Sequence, residues 1–153
     1  SAMPDLKIVL KYVDMLIVND ADARQLTGLF SLVKAAKAIL QMGPKYLIIK
    51  KREHGALLFH GDEVFFAPAL PLEDVFDPTG AGDTFAGGFI GHLAKSGDIS
   101  FENMKRGIIV GSAMASFCVE KFGATRLKEI NSNDIHNRIQ QFKDLVSFEI
   151  ELV

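Results

Sequence analysis

The stretch DPTGAGDTFAGGF, residues 77–89, is the part of the sequence that decides the fold. It runs from a loop of small residues directly into a predicted helix. Gly80, Ala81 and Gly82 carry little or no side chain, so their backbone N–H groups can approach a ligand closely. The start of a helix adds unpaired N–H donors and a partial positive charge. The stretch therefore predicts a site for phosphate, or for the charge that develops on phosphate during its transfer.

Asp83 lies in the first turn of this predicted helix. We expect its carboxylate to stay ionised at neutral pH, because nearby N–H donors favour the charged form. Such a carboxylate can accept a proton from an attacking hydroxyl while the N–H groups hold the phosphoryl group. In the alternative interpretation, Asp83 only caps the helix after a glycine turn. The spacing is neither a dinucleotide fingerprint nor a Walker A loop, because the third glycine and a following Gly-Lys-Ser/Thr are missing.

The rest of the chain predicts strands that alternate with helices. Residues 68–79 are expected to form a loop, and residues 148–153 either a terminal strand or a frayed tail. This alternation is typical of a layered α/β fold with a mainly parallel sheet flanked by helices. The predicted helices cover residues 5–13, 20–28, 30–42, 82–95, 100–122 and 131–146; the predicted strands cover residues 15–19 and 46–50, with a hairpin at 56–60 and 63–67.

Composition limits the class of protein. A chain of 153 residues suits one domain, expected over residues 4–153, and residues 1–3 fit a cloning remnant. The net charge of −2, with scattered basic residues, argues against nucleic acid and anionic membranes as partners. The single cysteine, Cys118, excludes an internal disulfide and fits a reducing compartment, so the cytoplasm is the expected location. We expect Cys118 to be a buried packing residue.

Residues 77–89 closely resemble the C-terminal signature of the ribokinase-like (PfkB-type) carbohydrate kinases, Asp-Thr-x-Gly-Ala-Gly-Asp followed by Thr/Ser-Phe and small residues. The start, Asp77-Pro78-Thr79, is a variant seen in that family. The resemblance extends over nearly the whole chain. It implies the C-terminal part of a ribokinase-like fold and an ATP-dependent phosphotransferase that uses Mg²⁺. It assigns the catalytic base to Asp83 and the anion hole to Gly80, Ala81 and Gly82.

Asn19-Asp20-Ala21-Asp22 resembles the family's Asn-x-x-Glu motif, which helps to hold magnesium and phosphate through water. Asp22 stands in place of Glu, with a shorter reach and the same charge. The resemblance therefore implies that Asn19 and Asp22 contact the nucleotide and its magnesium ion. Capping of the following helix is the alternative role for both residues.

Lys50 to Gly55 corresponds to the family's Lys/Thr-x-Gly-x-x-Gly loop, which lies against the nucleotide phosphates. Arg52 stands where a glycine is usual. Its side chain either supplies charge to the phosphates or obstructs the close backbone approach that glycine permits. Lys50 either faces the phosphates or is a solvated lysine at a strand end.

Two further groups of residues are implied only by the resemblance. Gly111 and Ser112 fall where the family's helix faces the purine. Asp77 and Thr79, together with the turn at residues 123–126, correspond to a monovalent-cation site, for K⁺, that many members have.

Complete members of this family are much longer than this chain, and their N-terminal half supplies the acceptor site and a lid. Neither is recognisable here. We therefore expect little sugar kinase activity from this chain alone, and self-association into a homo-oligomer through an uncovered sheet edge and apolar faces. ATP and ADP are the expected partners, and a sugar is favoured over a nucleoside as acceptor because most relatives act on sugars. A nucleotide-binding module without turnover and a purely structural partner domain are the alternatives.

Overall fold

A computed structural model of the chain describes residues 2–72, 80–120 and 129–152. Contacts divide the chain into two compact units, Ser1–Ala69 and Leu70–Val153. The expectation of one domain over residues 4–153 stays a prediction.

The first unit contains three helices and four strands. Its helix α1 starts at residue 2 and ends three residues before the predicted end, because Lys11 and Tyr12 form a turn in which Tyr12 N–H donates to Val9 O (2.9 Å). The other elements lie close to their predicted positions. They are α1 (Ala2–Leu10), β1 (Met15–Asn19), α2 (Asp20–Thr27), α3 (Leu32–Gln41), β2 (Tyr46–Lys50), β3 (Gly55–His60) and β4 (Glu63–Pro68), with a 3-10 turn at Arg52–His54.

The four strands form one sheet in the order β1-β2-β3-β4. This sheet and its helices confirm the α/β class. The expected mainly parallel arrangement is wrong for these strands, since only β1 and β2 pair in parallel. A parallel connection needs about a dozen or more residues. The turn at Arg52–His54 and the two-residue turn Gly61-Asp62 are too short, so β3 and β4 must run antiparallel to their neighbours.

The core of the first unit lies between the sheet and helices α2 and α3. Helix α3 buries Ala35, Ala36 and Ile39, which recur at helical spacing. In the sheet, Leu47 pairs with Phe59 and Ile49 with Leu57, so that one face carries continuous apolar rows. Full burial of a side chain such as Ile39 stabilises the fold by about 1.5–3 kcal/mol.

The second unit contains three described helices, α4 (Ala81–Ser96), α5 (Phe101–Glu120) and α6 (Ser132–Val146). Helix α4 ends at Gly97, whose φ of 64° is left-handed. The Ser100 N–H donates to Asp98 Oδ1 (2.8 Å) and lowers the pKa of that carboxyl. Ser100 Oγ accepts from Asn103 N–H (3.2 Å) and caps α5. Among the described helices, none has the length and apolar character that crossing a bilayer requires.

Residues 147–152 follow α6 without forming a helix or a strand, and they are exposed. The sequence allowed a terminal strand or a tail here, and the described residues form the tail.

Candidate functional site

Residues Gly80–Asp83, here named the anion turn, start helix α4. Gly80 has φ 82° and ψ −8°, a left-handed conformation that only glycine adopts without strain. The first helical hydrogen bond runs from Thr84 N–H to Gly80 O (2.9 Å). The N–H groups of Ala81, Gly82 and Asp83 precede that bond and have no acceptor within the helix. The anion turn therefore presents three backbone donors at the positive end of a helix.

The Asp83 carboxylate has no side-chain or backbone partner among the described residues. Asp83 is the third residue of α4 and is exposed, and its side chain makes no hydrogen bond or ion pair with another described residue. Capping by a carboxylate at this position would require a hydrogen bond from the N–H of the N-cap residue, Gly80. The capping interpretation therefore lacks its bond among the described residues, and the assignment of Asp83 as the base stays a prediction.

Helix α5 supports the anion turn from behind. A Cβ placed on Gly80 would lie 3.8 Å from Cys118 Sγ, so this cysteine packs under the start of α4. Cys118 is buried, as the sequence predicted. The buried aromatic rings of Phe85 and Phe89 fix α4 one and two turns further along.

Gly88 and Gly111 allow α4 and α5 to approach closely. A Cβ on Gly88 would lie 3.0 Å from Gly111 Cα, and one on Gly111 would lie 2.6 Å from the backbone oxygen of Phe85. Glycine thus permits tight packing at Gly88, whereas Gly87 is exposed with open space around it. Gly111 thus has a packing role that needs no ligand.

Ser112 follows Gly111 on α5 and is half-buried. Its hydroxyl makes no hydrogen bond with another described residue. The assignment of Gly111 and Ser112 to a purine stays a prediction.

In the first unit, Asn19 and Asp22 lie at the junction of β1 and α2. Asn19 Oδ1 accepts from Asp22 N–H (2.7 Å), so the alternative capping role of Asn19 is present in the structure. The Asn19 amide nitrogen still has its two donors. The Asp22 side chain is exposed and makes no contact with a described cation, whereas Asp20 pairs with Arg24 (3.4 Å). Asp22 therefore does not cap the helix with its carboxylate.

Lys50 lies beside Asn19, because these two residues are partners in the parallel ladder of β1 and β2. Both residues end their strands. Open α/β sheets bind ligands at the carboxyl ends of their parallel strands. The structure therefore brings Asn19, Asp22 and Lys50 to the carboxyl end of β1 and β2, and their contact with a nucleotide stays a prediction.

The turn from Lys51 to Gly55 continues from the same sheet end. Lys51 N–H donates to Gly55 O (2.7 Å) and His54 N–H to Lys51 O (2.8 Å). Arg52 has φ 51° and is the one non-glycine residue with positive φ in the described chain. Its exposed guanidinium makes no ion pair with a described carboxylate. A Cβ on Gly55 would lie 2.1 Å from Ala67 O, so the β3–β4 packing itself requires this glycine.

Metal ligands were predicted at Asp22, Asp77 and Thr79. In the part of the chain that the structure describes, no group of three His, Cys, Asp or Glu side chains could hold a metal ion. The exposed Asp22 carboxylate fits magnesium, which usually keeps several waters and is held by one or two carboxylates with the substrate's phosphates. Asp77, Thr79 and the turn at residues 123–126 lie outside the described residues.

Arg138 is a buried residue that the sequence reasoning missed. It donates from Nη1 to Ser116 Oγ (2.7 Å) and from Nη2 to Glu120, and its guanidinium lies 4.0 Å from the centre of the Phe117 ring. These contacts join α6 to the part of α5 that contains Cys118. The available signal was a charged residue on the apolar stripe of α6, between Ile135 and Phe142.

The comparison with a family model and the comparison with single proteins both match kinases. The model of the pfkB family carbohydrate kinases matches residues 1–131. The chain is 37% identical over 87 residues to a cytidine kinase from Thermococcus kodakarensis, a match that covers 56% of this chain and 31% of that protein.

Two solved structures share the fold and part of the sequence. The aminoimidazole riboside kinase from Salmonella enterica, complexed with aminoimidazole riboside and an ATP analog, is 25% identical with a TM-score of 0.78 over 91% of this chain and 46% of its own. A candidate ribokinase II from E. coli, in complex with ATP and Mg²⁺, is 26% identical with a TM-score of 0.73 over 90% of this chain and 42% of its own. The chain thus spans less than half the length of each relative.

Proposed function

Because the chain belongs to the pfkB family of carbohydrate kinases, we propose that it is the nucleotide-binding and catalytic-base part of an ATP-dependent sugar kinase. The reaction transfers the γ-phosphate of ATP to a sugar hydroxyl and gives a phosphate ester and ADP. The observation that carries the proposal is the Asp83 carboxylate, which has no partner among the described residues and belongs to the last of the three residues whose backbone N–H groups are donors.

Asp83 acts as the general base. It accepts the proton of the acceptor hydroxyl as the hydroxyl oxygen attacks the γ-phosphorus and the bond to the bridging oxygen of ADP breaks. The N–H groups of Ala81, Gly82 and Asp83 donate to the transferring phosphoryl oxygens, whose charge they stabilise without reorganisation. General-base assistance of this kind contributes about 10²–10⁴-fold in rate.

The remaining proposed roles concern the nucleotide. Lys50 and Arg52 supply positive charge to its phosphates, and Gly55 keeps the turn between β2 and β3 in shape. Asn19 and Asp22 hold Mg²⁺ through water; the ion neutralises phosphate charge when bound. The E. coli relative with ATP and Mg²⁺ supports both cofactors. The proposal also assigns the purine to Gly111 and Ser112, and K⁺ to Asp77 and Thr79.

A nucleoside is the second candidate acceptor. The similarity to the cytidine kinase of T. kodakarensis favours it, as does the Salmonella kinase complexed with aminoimidazole riboside. The acceptor class is decided by turnover with a panel of free sugars and nucleosides. The same assay tests the third candidate, a nucleotide-binding module without turnover.

The base is tested by Asp83→Asn in a chain that also carries the acceptor-binding part. We expect kcat to fall by about 10²–10⁴-fold with little change in the KM for ATP, because the amide cannot accept the proton. Asp62→Asn, the same change at an exposed hairpin turn, is the control and leaves kcat unchanged. A kcat within a few-fold of the unmodified enzyme would show that Asp83 is not the base.

A further inference from the structure

Arg138 on helix α6 is a buried cation that the proposed reaction does not use. It is 9% exposed, and its guanidinium donates to Ser116 Oγ (2.7 Å) and to a Glu120 carboxylate oxygen. The same group lies 4.0 Å from the centre of the Phe117 ring. All three contacts lie in residues 116–120 of α5, here named segment 116–120. Because a guanidinium has its donors in a rigid planar fork, these contacts define how the segment is turned about the helix axis.

Stability alone is a weak explanation for a buried arginine at this position. The removal of two charges from water costs free energy, and the replacement of a buried ion pair by apolar residues of similar volume is often neutral or stabilising. A displaced guanidinium would leave buried N–H donors unpaired. The contacts of Arg138 therefore favour a single position of segment 116–120 relative to α6.

Helix α5 meets α4 along a second row of residues at helical spacing, which consists of Gly107, Gly111, Met114 and Cys118. The approach is tight in the middle of this row, where a Cβ on Gly111 would lie 2.6 Å from the Phe85 backbone oxygen. At the anion turn it is looser, because a Cβ on Gly80 would lie 3.8 Å from Cys118 Sγ, an ordinary van der Waals distance. Close backbone packing therefore holds the middle of the two helices and not the anion turn.

The anion turn has little support of its own. Among the described residues, no side chain caps the start of α4 at Gly80. The three N–H donors of this turn need a defined direction, because hydrogen bonds weaken steeply when their angle departs from linearity. The position of Cys118 beneath Gly80 therefore affects how well the turn can hold phosphate.

We propose that Arg138 is a positioning residue for the anion turn and acts through Cys118. Cys118 belongs to segment 116–120, which Arg138 holds from α6, and it is 1% exposed. Rotation of the segment would withdraw Cys118 Sγ from Gly80 or press it against the turn. The ligand in this inference, MgATP, rests on the proposed function, whereas the packing of Cys118 does not.

The test combines calorimetric titration of Arg138→Met with MgATP and the rate at which Cys118 reacts with dithionitrobenzoate in the absence of denaturant. Methionine fills part of the buried space and removes the charge and both hydrogen bonds. We expect MgATP to bind about 10–100-fold more weakly, a loss typical of removing a group that orients metal ligands. We also expect Cys118, the single cysteine of the chain, to react several-fold faster.

Two control variants separate positioning from general stability. Arg106→Met makes the same change at an exposed arginine of α5 and leaves the affinity and the thiol rate unchanged. Phe142→Leu removes buried volume from α6, so it lowers the urea midpoint, but it leaves the MgATP affinity of the folded chain unchanged. Ser116→Ala removes one acceptor of Arg138 and replaces Arg138→Met should the urea midpoint show that the latter is unfolded; its loss of affinity is smaller.

Unchanged MgATP affinity in the folded Arg138→Met variant would overturn the proposal. So would equal losses of affinity in Arg138→Met and Phe142→Leu, because the arginine would then act only through stability. Weaker binding without a faster thiol reaction would show that Arg138 does not act through Cys118, and would overturn it as well. Absence of MgATP binding by the unmodified chain would instead contradict the proposed function, and the Cys118 rates alone would then decide whether Arg138 holds segment 116–120.

Discussion

At the scale of single residues, Asp83 and Asp134 form a natural comparison. Each is the third residue of its helix, α4 and α6 respectively. Asp134 completes a capping box by accepting from Asn131 N–H (3.0 Å), whereas the Asp83 carboxylate has no described partner. The same side chain at the same helix position thus supports folding in one helix and is left available in the other.

We predict that Asp134→Asn destabilises the chain more than Asp83→Asn does. Loss of a cap costs about 0.5–2 kcal/mol. Loss of a first-turn charge costs only about 0.3–1 kcal/mol. The urea midpoints of the two variants provide the measurement. A larger loss for Asp83→Asn would mean that this carboxylate has a structural role.

Arg52 carries backbone strain that glycine would not have. A left-handed conformation costs an L-residue roughly 1–2 kcal/mol. We therefore predict that Arg52→Gly raises the free energy of unfolding by about 0.5–1 kcal/mol, after the entropy cost of glycine is subtracted. Glu53→Gly, at the next residue and without positive φ, should lower it.

The same Arg52→Gly variant should bind MgATP more weakly, because a positive charge next to the phosphates is lost. Titration calorimetry measures this effect. Tighter binding would contradict the charge role and show that the arginine side chain obstructs the nucleotide.

At the scale of elements, the close packing of α5 against α4 holds the anion turn in place. Gly111→Ala would place a methyl group against the Phe85 backbone oxygen, so the helices must move apart. We predict a loss of about 1–3 kcal/mol, as for other overpacked sites. Gly91→Ala, on the open side of α4, should instead stabilise by about 0.5–1 kcal/mol. Equal urea midpoints for the two variants would argue against close packing of α4 and α5 at Gly111.

Most elements could be predicted because their signals are local. Asn19 caps α2, Gly28 ends it with φ 71°, and Gly61-Asp62 turns the hairpin, as the sequence indicated. The contacts of Arg138 with Glu120 and Ser116 join residues 18 and 22 positions apart, and no local pattern specifies them. The left-handed conformation of Arg52 in the turn between β2 and β3 is likewise one that the sequence does not reveal.

Part of the candidate site could be predicted from the sequence in the same way. The signature at residues 77–89 led to the anion turn and to Asp83, because small residues before a helix have direct physical consequences. The packing roles of Gly55 and Gly111 emerged only from the close approach of other backbone atoms. Glycine in a motif can serve a ligand or a neighbouring strand or helix, and the sequence alone does not distinguish them.

At the scale of the whole molecule, the chain matches 31% of one relative and less than half of two solved kinases. Phosphoryl transfer depends on a positioned acceptor and on exclusion of water. We predict little or no ATP-dependent turnover by this chain alone with any sugar or nucleoside. A coupled assay for ADP release measures it, and robust turnover would show that the chain holds an acceptor without further residues.

The central claim, that the anion turn binds the phosphates and Asp83 serves catalysis rather than binding, is tested most directly by titration calorimetry with MgATP. We predict saturable binding by the unmodified chain, retained in Asp83→Asn and lost in Gly82→Asp, which puts a carboxylate among the three donors. Gly91→Asp, the same change on the open side of α4, should bind normally. Normal binding by Gly82→Asp, or no binding by the folded unmodified chain, would contradict the account.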